Sequence, residues 1–249
     1  MKPLEDMVYG FHAIESILIA DPTRIDILYI QHGKLDSRID KIRSLSSKAS
    51  IRIDLVGKVR LDQMVDGPHQ GVVARCRNLS LFNEDEFESK FSEFDQPKFF
   101  LLIDGITDPR NLGACLRSAA AAGVQVVFLP KRRSAPVNAL ALKTAAGGAE
   151  HLMLVEVTNV ARRLKWLRDQ GVWVIGGCDS SEKHWVESDY SGDLLLAVGS
   201  EEKGLRRLTR ESCDELVAIP MQGLITSLNV SVATGVLLFE AVRQRTLHS

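Results

Sequence analysis

The sequence of 249 residues contains no long hydrophobic run and only four cysteines. No apolar stretch approaches the roughly 18 residues of a membrane-spanning helix, and the first residues lack the apolar core of a signal peptide. Cys76, Cys115, Cys178 and Cys213 lie far apart, with no C-x-x-C pair and no histidine at metal-ligand spacing. We therefore expect no membrane association, no disulfide framework and no metal site, and four scattered thiols favour a cytoplasmic location.

The sequence also lacks an excess of charge of either sign. Its 31 Lys and Arg residues balance 32 Asp and Glu residues, which leaves a formal charge of −1. This balance argues against binding of nucleic acid through bulk charge alone, although a local basic surface remains compatible with it. One basic run in the first part of the chain is either a solvated helix face, which is the default, or an RNA contact; it comprises Lys34, Arg38, Lys41, Arg43 and Lys48.

Aromatic residues make up only 6% of the chain, yet four phenylalanines fall within residues 82–95. The same segment holds six acidic residues against Lys90 alone, and no helical or strand period persists across it. We predict a linker at 81–97 whose phenylalanines dock on a neighbouring surface; the alternative is an outer helix of a domain. The linker would separate a domain at 1–80 from a domain at 98–249.

Both predicted domains belong to the α/β class. Residues 1–80 alternate helical and strand periods, which predicts a small α/β unit. Beyond residue 98, near-continuous apolar strands alternate with helical segments, which is typical of a parallel sheet covered on both faces. Ligands of such sheets bind beyond the carboxyl ends of the strands, so we expect function in the loops after Ile103, Val198 and Ile219.

The first of these loops leads into a helix that carries unexplained polar residues. Asp108 is the predicted N-cap and Pro109 the first helical residue, which is ordinary capping chemistry. Capping does not explain Asn111 or Arg117 on a helix built otherwise from small and apolar residues. An arginine on such a surface indicates an anionic partner, either a carboxylate of the protein or a ligand phosphate.

The other two loops are equally polar. Residues 199–204 place glycines on both sides of Glu201, where a ligand can approach the backbone, although an ordinary charged turn fits equally well. Residues 220–235 lead into the last helix, where Asn229 and two hydroxyl residues are weak helix formers. We predict that Ser227 caps this helix and exposes backbone N–H groups to an anion. A nicotinamide-dependent enzyme is disfavoured, because the chain lacks G-x-G-x-x-G after the first strand of the sheet.

Taken in order, these motifs resemble those of the SpoU (TrmH-type) branch of the SPOUT RNA methyltransferases. The residues that carry the resemblance are Asn111, Gly113 and Arg117 in the first motif, Gly199, Glu201 and Gly204 in the second, and Pro220, Met221, Gly223, Ser227, Leu228, Asn229, Ser231 and Ala233 in the third. The segments Tyr9–Ala13 and His69–Gly71 are similar to the substrate-binding domain of the same family. The resemblance therefore spans the whole chain.

The resemblance implies a fold, a cofactor and an assembly. The catalytic domain of the family ties its carboxyl-terminal segment into a trefoil knot and binds S-adenosylmethionine among the knot loops. At the matching positions Gly199, Ile219 and Leu228 would hold this cofactor, largely through backbone groups. Family members are homodimers through the catalytic domain, and the partner completes the active site.

The resemblance also implies roles for the polar residues. Arg117 would activate the ribose 2′-hydroxyl, either as a general base or, as we favour, as a cation that stabilises the developing alkoxide, because guanidinium holds its proton above pH 12 or so. Asn111 and Glu201 would position Arg117 and the nucleotide, and Ser227 and Asn229 would bind the adjoining phosphate or ribose.

Residues 102–119 and 206–221 are most similar to family members that methylate a guanosine ribose of bacterial 23S ribosomal RNA. We therefore expect an S-adenosylmethionine-dependent, metal-independent 2′-O-methyltransferase acting on that RNA. Two alternatives remain open. One is a transfer-RNA 2′-O-methyltransferase, and the other is a non-catalytic RNA-binding or ribosome-assembly protein on the same fold.

Overall fold

The amino-terminal strands form a mixed sheet of four strands in the order β1-β4-β2-β3. In this computed structural model, residues 7–77, 79–200 and 203–247 are described. Strand β4 pairs antiparallel with β1 and β2, and β2 pairs parallel with β3. The elements of this unit are β1 (Met7–Tyr9), α1 (Phe11–Ala20), β2 (Ile25–Gln31), α2 (Ser37–Lys48), β3 (Ile53–Val56), α3 (Lys58–Met64) and β4 (Val72–Cys76).

Alternation along the strands divides the core of this unit between two faces. Val72 and Ala74 point toward α1 and α2, where they join a cluster that includes Phe11 and Ile39. Val73 points to the other face and packs with residues of β1 and α3. The small α/β unit predicted from the sequence is therefore present, with helices on both faces of its sheet.

The acidic segment, for which a linker or an outer helix was predicted, contains a helix, α4 (Glu84–Lys90). A capping box between Asn83 and Glu86 begins the helix. Phe87 is fully buried, with its ring centroid 4.9 Å from that of Phe128. The predicted docking of phenylalanines is thus observed, and residues 84–90 form a helix, which was the alternative that the sequence left open. Seven residues are too few for a helical period to be visible in the sequence.

The carboxyl-terminal sheet has six parallel strands in the order β10-β8-β9-β5-β6-β7. Every residue of β5 and β9 is buried, which confirms the prediction of a sheet covered on both faces. The elements are β5 (Phe99–Asp104), α5 (Pro109–Ala121), β6 (Val126–Pro130), α6 (Ala139–Ala145), β7 (Met153–Val157), α7 (Val160–Asp169), β8 (Trp173–Gly177), β9 (Leu194–Gly199), α8 (Arg207–Glu211), β10 (Glu215–Val217) and α9 (Val230–Leu247).

Two hydrophobic clusters lie on opposite sides of this sheet. Helices α5, α6 and α9 contribute to the cluster on one face, and α4 and α7 contribute to the cluster on the other. The polar loops singled out in the sequence follow β5, β9 and β10. Parallel pairing places their carboxyl ends at one edge of the sheet, which is where ligands of such folds bind.

The two units contact each other through α1 and the turn after α6. The added Cβ of an alanine at Gly147 would collide with Ser16, so α1 lies directly against this turn. Arg24 forms an ion pair with Glu150 across the contact, and both side chains are at least nine-tenths buried. Arg24 also donates to the carbonyl oxygen of Arg77, which leaves its guanidinium well satisfied. A buried pair of this kind is costly to separate.

Candidate active site at the carboxyl ends of three strands

A cavity of about 260 Å³ opens where β8, β9 and β10 end. This volume is slightly below the usual range of small-molecule sites, about 300–1,000 Å³. Its wall includes all three residues that the sequence assigned to cofactor binding, together with one predicted catalytic residue: Gly199, Ile219, Leu228 and Ser227. These positions come from two loops that are separated in the sequence, and the fold brings them to one cavity.

The turn after β9 requires glycine at its first position. The backbone of Gly204 closes on Gly199, because Ser200 N–H donates to the Gly204 carbonyl at 3.1 Å and Gly204 N–H donates back at 2.8 Å. A Cβ at Gly199 would overlap Gly204 and Leu205 backbone atoms. Gly204 itself has a φ of +61°, which glycine adopts without strain. Glu201, the predicted positioning carboxylate of this loop, lies outside the described residues.

The first and third motifs meet in a hydrogen bond between two asparagines. Asn229 Nδ2 donates to Asn111 Oδ1 at 3.1 Å, and Asn229 Oδ1 accepts from the backbone N–H and hydroxyl of Ser231 at 2.9 and 2.6 Å. Asn229 therefore caps α9, and the prediction that Ser227 caps it is wrong, because the helix begins two residues later than that cap requires. Ser227 is exposed and lines the cavity instead.

Thr234 is one of the hydroxyl residues that seemed out of place in the last helix. It is fully buried, donates to the Val230 carbonyl oxygen at 2.7 Å and lies 3.5 Å from the Cys115 sulfur. This hydroxyl stabilises the contact between α5 and α9 and does not face the cavity. Its polarity is explained by packing.

Gly113 of the first motif has a packing role, as expected for the small residues of this helix. A Cβ at this position would overlap the Ala141 carbonyl oxygen and lie 2.7 Å from Thr144 Cβ. Helices α5 and α6 therefore approach each other closely at Gly113. This close approach holds α6, and with it the turn that touches the amino-terminal unit.

Arg117 stands apart from the cavity within a single chain. Its side chain is exposed, and it is not among the cavity-lining residues. It lies six residues beyond Asn111 on α5, which is about 9 Å along a helix at 1.5 Å per residue. Its backbone is supported by Gly148, where an added Cβ would come within 3.2 Å of Arg117 Cα.

Sequence reasoning missed the part of the cavity wall that follows β8. Gly177, Cys178 and Asp179 line the cavity although no motif marks them. The signal available was the Gly176-Gly177 pair at the end of an apolar strand. Leu237 of α9 packs 3.1 Å from where a Cβ of Gly177 would lie, so this glycine also lets the last helix close over the site.

The thiol of Cys213, which lies beside β8, is not activated. Burial raises the pKa of Cys213 to about 12, so this thiol stays protonated at neutral pH. Within the described part of the chain, no three His, Cys, Asp or Glu side chains gather as a possible metal ligand set. No helix in the described ranges is long and apolar enough to span a membrane.

Comparison with known families identifies the family to which this fold belongs. A family model described as the SpoU rRNA methylase family matches residues 98–239, and a model for the RNA 2′-O ribose methyltransferase substrate-binding domain matches residues 7–82. The chain belongs to the SpoU rRNA methylase family. The SPOUT fold expected from the sequence motifs is therefore confirmed, with a family-type substrate-binding domain in front of it.

Relatives match along their whole length. The chain is 44% identical over 243 residues to the 23S rRNA (guanosine-2′-O-)-methyltransferase RlmB of Escherichia coli K12, covering 97% of this chain and 100% of that protein. The corresponding protein of Yersinia pestis is 44% identical over 98% of this chain and 99% of its own length. Among solved structures, the SpoU methyltransferase AviRb of Streptomyces viridochromogenes in complex with AdoMet superposes with a TM-score of 0.79, at 23% identity over 97% of this chain and 90% of that one.

Proposed function

We propose that this chain is an enzyme that transfers a methyl group from S-adenosylmethionine to the 2′-hydroxyl of a guanosine in 23S ribosomal RNA. The observation that carries the proposal is the convergence of the second and third motifs at one cavity, with the first motif bonded to the third beside it. The second and third motifs form its wall, and Asn111 of the first is hydrogen-bonded to Asn229 of the third. Relatives that are 44% identical over their full length and bear this activity in their names support the same reaction and RNA.

The cavity wall fits S-adenosylmethionine. Val198, Leu228 and Leu237 provide an apolar lining for an adenine ring, and Gly199 leaves backbone groups accessible because it has no side chain. Bound there, the cofactor supplies a methyl group on a positively charged sulfur. We assign Gly199, Ile219 and Leu228 to holding it.

The polar residues beside the cavity would orient the ribose. Asn111 and Asn229 fix each other, so Asn229 and Ser227 present a defined pair of polar groups to the ribose or its phosphate. Glu201 is assigned with Asn111 to positioning. Arg117 is assigned to the phosphate next to the target and to the alkoxide that develops as the hydroxyl loses its proton. Such alignment of the hydroxyl with the methyl group provides much of the rate enhancement in a displacement.

Arg117 would act in an active site shared by two chains. Helix α9 exposes Val232 and Phe239, each about half accessible, which lie seven residues apart and so form one apolar stripe along the helix. Apolar surface of this kind is expected to be covered by a second copy of the chain. We infer a homodimer through the catalytic domain in which Arg117 of one protomer approaches the cavity of its partner.

The remaining expectations belong to the same proposal. The domains would be 1–80 for RNA binding, 81–97 as the connection and 98–249 for catalysis. The segment after β10 would form the trefoil knot of the family, the reaction would need no metal, and the enzyme would act in the cytoplasm on ribosomal RNA.

The proposal is tested by methylation with radiolabelled S-adenosylmethionine and three transcripts: 23S ribosomal RNA, 16S ribosomal RNA and transfer RNA. We expect label in the 23S transcript, at a 2′-O-methylguanosine found by mapping. An excess of chelator, with cobalt hexammine keeping the RNA folded, should leave the rate unchanged. Label in transfer RNA alone, or none in any RNA, would contradict the proposed substrate or the proposed activity.

A further inference from the structure

A second cleft lies at the same edge of the sheet, beyond the ends of β5, β6 and β7, with a volume of about 630 Å³. We propose that this basic cleft binds the phosphodiester backbone of the substrate RNA next to the methylated nucleotide. The inference rests on the proposed function for its choice of polyanion. Six cationic residues line the cleft: Lys131, Arg132, Arg133, Lys203, Arg206 and Arg207.

One of these cations, Arg206, holds the walls of the cleft together through contacts with other residues of the protein. Asp104 is fully buried, and its carboxylate accepts from the Thr209 hydroxyl at 2.7 Å and lies 3.3 Å from Arg206 Nε. The other end of Arg206 donates from Nη2 to the carbonyl oxygens of Arg132 and Arg133 at 3.2 and 3.3 Å. The charge of Arg206 is therefore used inside the protein, where it fixes the loop after β6.

That loop presents two adjacent arginines, Arg132 and Arg133, at the cleft. Among the residues that the structure describes, none forms an ion pair with Arg132 or Arg133, and both are exposed. Lys131, the preceding residue, is paired with Glu156 at 3.1 Å. Arg133 is held at a φ of +60°, a conformation uncommon for a residue with a side chain. A backbone that is fixed to display two adjacent guanidinium groups suits bidentate contacts with phosphate oxygens.

The position of the cleft favours a polymer of phosphates over a small anion as its ligand. Ser200, Lys203, Gly204 and Leu205 line both the basic cleft and the cofactor cavity, so the two share a wall. A chain of phosphates lying in the cleft would continue toward the mouth of the cavity, which a small isolated anion would not do. The amino terminus of α7 borders the cleft at Val160 and adds positive potential from its backbone dipoles. Contacts of this kind position RNA without reading its sequence.

The test compares two double variants of equal charge change. Arg132→Gln with Arg133→Asn removes two of the six cleft cations, and asparagine tolerates the positive φ at 133. Lys90→Gln with Lys165→Gln removes two exposed cations from α4 and α7 outside the cleft and serves as the control. Binding to poly(U) is measured by fluorescence anisotropy across a range of KCl concentrations, and binding of S-adenosylmethionine by calorimetry.

We expect the cleft variant to bind poly(U) about ten-fold more weakly at 0.1 M KCl. Its slope of log K against log salt should be smaller by about 1.5, since each lost phosphate contact removes about 0.7. The control should match wild type, and Arg132→Lys with Arg133→Lys should restore the slope. Cofactor affinity should be unchanged throughout. A cleft variant with the wild-type slope, or a control with an equal loss, overturns the proposal. Because poly(U) is not the proposed substrate, failure of the wild type to methylate 23S RNA leaves this test valid.

Discussion

Substitution of Gly199 by alanine tests whether the turn after β9 shapes the cofactor site. The φ of Gly199 is not in the left-handed region, so alanine is not strained by its own backbone conformation. The obstacle is space, because the new Cβ would overlap Gly204 and Leu205 backbone atoms. Neither neighbour can yield by rotating a side chain. The turn must move by more than 1 Å to restore an ordinary contact distance of about 3.4 Å.

The cost of this movement follows from the bonds that close the turn. Ser200 and Gly204 exchange two backbone hydrogen bonds, at 3.1 and 2.8 Å, and both are lost when the strands of the turn separate. Each contributes about 1 kcal/mol net, so the free energy of unfolding should fall by about 2 kcal/mol. Re-forming the turn around bound S-adenosylmethionine would cost a similar amount, which corresponds to about a 30-fold loss of affinity.

Calorimetric titration with S-adenosylmethionine and chemical denaturation measure the two effects on the same protein. Gly192→Ala is the matched control, because Gly192 precedes the same strand, has no atom within 4 Å of an added Cβ and does not have a positive φ. We expect the control to resemble wild type in both measurements. If Gly199→Ala binds the cofactor with wild-type affinity, the turn after β9 is not part of the binding site.

Three further predictions concern catalysis, assembly and the contact between the units. Arg117→Lys should keep part of the single-turnover rate and Arg117→Ala should lose on the order of 10²-fold, because the cation stabilises the alkoxide; a lysine variant that overtakes wild type as pH rises would indicate a general base instead. Phe239→Glu should yield monomers by light scattering, since a charge on the apolar stripe of α9 opposes its burial, and a wild type that is itself monomeric contradicts the dimer. Burial raises the pKa of Glu150 above its ordinary 4.5, so the folded protein holds this proton more tightly than the unfolded chain. The free energy of unfolding of the wild type should therefore rise relative to that of Glu150→Gln as the pH falls from the raised pKa toward 4.5, as measured by urea unfolding. If it falls instead, attraction to Arg24 lowers the pKa of Glu150 more than burial raises it.

The architecture was predictable because a strand that is buried on both faces of the sheet is apolar along its whole length, and this can be recognised in each strand by itself. All six residues of β5 are buried, and a run such as FFLLI has no polar face to offer solvent. Such runs separated by helical periods indicate parallel strands without knowledge of their order. The order itself depends on contacts between distant segments. The position of β8 beside β9, which brings Gly177 to the cavity, was therefore outside the reach of sequence reasoning.

The motifs pointed to several residues that line the cavity, but not to the hydrogen-bond partners of the polar residues beside it. Ser227 and Asn229, near the start of α9, could each cap this helix. Asn229 is the residue that does so, and it is also hydrogen-bonded to Asn111, which is 118 residues away in the sequence. The polarity of Thr234 suggested a ligand, whereas its hydroxyl serves the buried contact between two helices. A polar residue in an apolar helix indicates a hydrogen bond, and only the tertiary structure identifies its partner.

Arg117 lies away from the cavity but close to the contact between the two units. Helix α1 of the amino-terminal unit lies against Gly147, and the next residue, Gly148, supports the backbone of Arg117. The buried pair of Arg24 and Glu150 fixes the same contact on its other side. An RNA bound by the amino-terminal unit, as proposed above, would thereby be held in a fixed relation to Arg117, while the cavity lies elsewhere on the same protomer. If Arg117 acts on the ribose at the cavity of a partner, each RNA would be gripped by one protomer and methylated with the cofactor of the other.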